Sequence, residues 1–225
     1  MPLPSLAATS GNLIRDGIYV EAQIKADPET SALGNVLETP QEVLEKNVAG
    51  RRQADKAAIM ASAVADFRLN AVQRAIVKFG NQCFGHFTSR TAPGYLLIFP
   101  TAPNTVANAN PSDRVQAFGD LRKAATSGMT PKELAAPVKV LVTAIDDWTA
   151  GVGASAKAND ALEQASKAEA AAADDWQTAV RKLRGKLIDL FPRDVKRQRS
   201  YLPATKPSKK VKLAVAETKK LEEAE

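Results

Sequence analysis

The stretch Leu134-Ala-Ala-Pro-Val-Lys-Val-Leu-Val-Thr-Ala-Ile-Asp-Asp-Trp-Thr-Ala-Gly-Val-Gly153 carries its large apolar residues at Leu134, Val138, Leu141, Ile145, Trp148 and Val152, a 4-3-4-3-4 spacing. That interval keeps side chains on one face of an α-helix, and its regularity is that of a seam packed against another helix. An all-α fold follows. The same stretch ends on Gly151-Val-Gly153. Glycine inside a helix costs about 1 kcal/mol relative to Ala, so two close together predict a break, with one helix over 131–150 and another over 154–191. The alternative is a single helix running on to Phe191.

Toward the C-terminus, 11 of the 27 residues from Ala154 to Val180 are Ala, which favours helix and leaves a thin surface that neighbours can approach closely. Leu162, Ala165, Ala172, Trp176, Val180, Leu183, Leu187 and Leu190 form its apolar stripe, and Pro192 stops it. Toward the N-terminus, Thr130, Pro131 and Glu133 have the spacing of a capping box, with Pro137 expected to kink the second turn. Asn110, Pro111 and Asp113 open a helix over 111–126. Thr39, Pro40 and Glu42 open another over 40–79, whose apolar stripe is Ala57, Met60, Val64, Phe67 and Ala71. Gly80 is expected to end it. Residues 80–110 are rich in Pro and Gly around Tyr95-Leu-Leu-Ile-Phe99, a run that reads as a buried strand or as an apolar loop plugging the end of a bundle. Ile18, Val20, Ala22 and Ile24 alternate with polar residues, the period of a half-buried strand or extended arm, with a helix turn as the alternative, within an irregular N-terminal arm. The expected architecture is therefore an arm over 1–38, a bundle of about four helices over 39–192, and a basic tail over 193–225.

Composition narrows the chemistry. Among 225 residues there are 40 Ala and one Cys, so an intramolecular disulfide is excluded and the apolar driving force falls on relatively few large side chains. Neither a signal peptide nor a membrane span is expected, since Lys139, Asp146 and Asp147 interrupt the best apolar run; the prediction is a soluble cytoplasmic protein. Cys83 and His86 have metal-ligand spacing, yet a structural zinc site wants four ligands and the chain has no other Cys or His. No metal and no cofactor are expected. A Cys83 nucleophile with His86 as base is conceivable but rests on spacing alone, and the motifs of familiar enzyme classes are missing. Asp146-Asp147 and Asp174-Asp175 are adjacent pairs whose members point about 100° apart on a helix, so neither makes a clamp. Each precedes a Trp on an apolar stripe, which predicts solvated acids beside a buried ring.

Charge is uneven. Residues 1–180 hold 17 basic and 19 acidic side chains, whereas 181–225 hold 14 and 6. Arg181, Arg184, Lys196, Arg197, Arg199, Lys209, Lys210 and Lys212 are the candidates for holding an anion, the phosphates of a nucleic acid or an acidic surface. The long Ala-rich helix is expected to outreach its neighbours and leave apolar stripe uncovered. Leu134, Val138, Leu141, Ile145, Trp148, Leu162, Trp176, Val180, Leu183 and Leu187 are then the candidate helix-pairing interface. Two functional expectations follow: a non-enzymatic structural or scaffolding protein that associates with itself or another helical protein, or a nucleic-acid-binding module using residues 181–212.

Overall fold

The computed structural model describes residues 9–202. Every regular element among them is helical: α1 Ser10–Ala26, α2 Asn35–Phe87, α3 Pro93–Ile98, α4 Pro103–Ala107, α5 Arg114–Ala125, α6 Ala135–Leu190 and α7 Val195–Ser200, with 3-10 turns at Ser31–Leu33 and Lys132–Leu134. The class is all-α. The described residues divide into two compact units, one made of those up to Arg52 and from Gln164 onward, the other of Gln53–Glu163. The long helices α2 and α6 contribute residues to both.

In the first unit, the segment read as an irregular arm is helix from Ser10. Leu13, Gly17, Val20 and Ile24 are buried at 4-3-4 spacing while Ile18 is exposed, so the alternation around Val20 marks no strand. The Thr30 hydroxyl closes the end of α1 by donating to the Ile24 carbonyl at 3.0 Å. This face of α1 packs on Leu37 and Leu44 of α2 and on Trp176, Val180, Leu183 and Leu187 of α6. Gln41 is buried in that core with its polar atoms engaged: its Oε1 accepts from the Trp176 indole N–H at 2.7 Å, and its Nε2 donates to the Ile14 carbonyl at 3.1 Å. Gly17 makes the space, because a Cβ there would stand 1.9 Å from Gln41 Oε1.

In the second unit, α2 and α6 approach through small residues. Ser62 and Ser155 share a hydroxyl hydrogen bond of 3.0 Å, and a Cβ built on Gly151 would lie 3.4 Å from the Ala65 Cα. The break expected at Gly151-Val-Gly153 is absent; α6 is one helix of 56 residues. Packing on both sides of the pair outweighs the propensity of two glycines, and Gly151 serves close helix approach. Gly153 faces open space. Gly153→Ala is accordingly expected to raise stability by about 1 kcal/mol in urea unfolding, whereas a residue needed as a flexing point would lose stability.

Other boundaries also move. Pro137 lies in the first turn of α6, where its missing N–H has no intrahelical partner, so the expected kink has no cause. The Thr130 hydroxyl turns back to the Ala124 carbonyl instead of closing a capping box. Helix α2 starts before Pro40 and passes through it. It also passes Gly80 to Phe87, where Thr88 adopts a left-handed φ of 56° and stops it. The run Tyr95 to Phe99 is no strand: Tyr95, Ile98 and Phe99 are buried and Leu96 and Leu97 exposed, the pattern of the helical turn α3 and its cap. Phe99 meets Phe79 at 5.7 Å between ring centroids and so closes one end of this core.

Candidate interaction site

The residues expected to pair with another molecule are the chain's own core. Leu134, Leu141, Ile145 and Trp148 are buried in the second unit with Val138 half-buried beside them, and Phe118 of α5 meets Trp148 edge-on at 4.9 Å. Trp176, Val180, Leu183 and Leu187 are buried in the first unit, and Leu162 is half-buried. The long helix is expected to outreach its neighbours and leave this stripe uncovered; instead α1 covers Trp176, Val180, Leu183 and Leu187, and α5 covers the beginning of α6, while Leu190 stays exposed.

A different face is uncovered. On α2, Met60, Val64 and Phe67 are 59%, 46% and 69% exposed, although their helical spacing predicts a buried stripe. This helix carries two apolar faces, and the one that packs on α6 within the unit is the thin one of Ala58, Ser62 and Ala65. Thin faces let backbones approach closely, which leaves the bulky ridge outside. Beside the ridge, Phe67, Ala71, Val140 and Ala144 line an apolar groove of about 490 Å³, rimmed by Lys139 and by Arg68, whose Nη1 donates to the Asp147 carbonyl at 2.9 Å.

The basic candidates separate. Arg197 is structural: its guanidinium pairs with Asp27 at 2.8 Å and Glu29 at 3.0 Å and lies 4.1 Å over the Phe191 ring. Tyr201 is buried and stacked on Phe191, and its hydroxyl donates to Asp27. Together these bonds fasten residues 191–202 to the turn after α1. Arg181, Lys196 and Arg199 are exposed and have no ion pair among the described residues. Arg184 is half-buried and lines a small pocket with Val195, Gln198 and Arg199. Lys209, Lys210 and Lys212 lie outside the described residues.

The bond from Tyr201, then that from Arg197 and that from the Glu29 N–H, hold the Asp27 carboxyl at about 2, below its ordinary range. The unfolded carboxyl titrates near 3.9. A depressed pKa makes the clamp's contribution complete above that value and loses it as pH falls toward 2. Proteolytic clipping within residues 193–202 is expected to accelerate over that acid interval in the native chain, whereas Asp27→Asn is expected to be clipped readily already at neutral pH.

Cys83 is buried in the second core, where desolvation pushes its thiol up to about 12, while His86 is exposed and rests edge-on against Phe87. The two side chains do not form a thiolate and base at a shared surface. Asp146 pairs with Arg122 at 2.9 Å. Among the described residues, no three His, Cys, Asp or Glu side chains converge on a point where a metal would sit, and no helix is long and apolar enough to cross a membrane. No protein-family model, curated protein or solved structure matches the chain.

Proposed function

We propose that this protein is a non-enzymatic structural or scaffolding protein that acts through helix-mediated self-association. The observation carrying this reading is the exposed ridge of Met60, Val64 and Phe67 beside the Val140 groove. Large apolar side chains in one contiguous patch mark a contact surface, and aromatic residues at such patches carry a disproportionate share of binding energy. Multi-angle light scattering of the whole chain is expected to show a mass above that of one chain, rising with concentration. Phe67→Asp is expected to weaken association at least ten-fold, about 1.4 kcal/mol. A strict monomer over a wide concentration range overturns the reading.

A second reading is a nucleic-acid-binding module, favoured by the exposure of Arg181, Lys196 and Arg199 without ion-pair partners among the described residues. Cutting the chain at Pro192 would remove Arg197 and Tyr201 and with them the clamp, so charge reversal is the cleaner test. Arg181→Glu with Arg199→Glu is expected to abolish salt-sensitive retardation of DNA or RNA in electrophoresis; unchanged retardation, or none by the native chain, rejects it.

A further inference from the structure

We propose that the partner covering the α2 ridge is a second copy of this chain, docked by an antiparallel crossing of two α2 helices centred between Ala63 and Val64. This rests on the self-association reading and adds its geometry. On the solvent side of α2, Met60 and Phe67 stand one turn to either side of the exposed Ala63, with Val64 beside it. A small residue flanked by bulky ones is what a close helix crossing requires, because side chains of one helix enter the spaces beside the small residue of the other. A two-fold axis through the centre sets Met60 of one copy against Phe67 of the next, and Phe67 against Met60, so one patch is complementary to itself.

Area bears on the choice of a second copy, and charge on its direction. Ile59 and Val140 extend the patch, at 63% and 60% exposed. The exposed apolar surface is then roughly 500 Å², toward the upper end of what monomers leave open. Two such patches bury about 1,000 Å², the lower bound for a specific interface. Lys56, Asp66 and Arg74 lie along the same solvent-facing flank. A parallel pair in register would set each against its own kind, which is repulsive. Reversal sets Lys56 at the level of the exposed Asn70 and of Ala71 instead.

Variants of the whole chain that each add one cysteine test this, because the native thiol is buried and the unaltered protein serves as the silent control. Under mild oxidation, Ala63→Cys is expected to form disulfide-linked dimers. Met60→Cys and Phe67→Cys alone are expected to do so at least ten-fold more slowly, since an antiparallel crossing separates each from its own copy by about 10 Å, beyond disulfide reach. Mixed together, those two variants are expected to cross-link to each other. Self-linking of Met60→Cys as fast as Ala63→Cys overturns the antiparallel geometry, and a dimer seen by scattering that cross-links at none of the three sites overturns the ridge as its interface. Both results leave self-association standing, whereas a monomer at all concentrations rejects that reading as well.

Discussion

Trp176→Ala is expected to lower the unfolding free energy by about 3–5 kcal/mol, read as a lower urea midpoint. Trp176 is fully buried among α1, α2 and α6, so truncation leaves a cavity bounded by three helices and strips the Gln41 Oε1 of its donor. Trp176→Phe separates the two effects. The ring keeps most of the buried area but leaves the buried amide oxygen unpartnered, which costs about 1–3 kcal/mol. Helical circular dichroism follows the unfolding in both variants, since Trp148 lies in the other core. Equal losses for Ala and Phe would mean that the hydrogen bond, not the buried area, carries this site.

Gly80→Ala is expected to destabilise by about 2 kcal/mol, even though Ala is the better helix former by about 1 kcal/mol. An added Cβ would stand 2.3 Å from Cγ and 2.7 Å from Cβ of Pro103. A pyrrolidine ring cannot swing aside as a flexible side chain would, so α4 must shift off α2 and disturb the neighbouring Phe99. Thermal melts of Gly80→Ala and Gly153→Ala are therefore expected to move in opposite directions, although both replace a glycine inside a long helix. A stabilised Gly80→Ala would show that the α4 contact is slack.

What the sequence makes legible depends on whether a signal is local. The spacing of Leu134, Leu141, Ile145 and Trp148 is a property of one helix, and it correctly marks a buried face. Which of two faces turns inward is not local. The bulky stripe of Met60, Val64 and Phe67 looks like core until α6 is known to offer Gly151 and Ser155, against which only Ala and Ser can pack closely. The same partner explains why a glycine pair in α6 makes no turn. A usable signal was present in Ala54, Ala58, Ala61 and Ala65, small residues at helical spacing on the side opposite the ridge.

The N-terminal helix was legible in principle. Leu13, Gly17, Val20 and Ile24 recur at helical intervals, but a glycine in the stripe hides it from a reading that counts large side chains. The roles of Gly17 and Arg197 become visible only when residues distant in sequence, Gln41 for one and Asp27 for the other, are brought alongside.

The burial of the chain's one thiol gives the second unit a built-in chemical clock. Cys83 lies buried in that core, so a colourless disulfide reagent that releases a coloured leaving group finds no sulfur to attack until the core opens. The rate of colour development then times the opening of residues 53–163 in the unaltered protein, at any temperature, without a label.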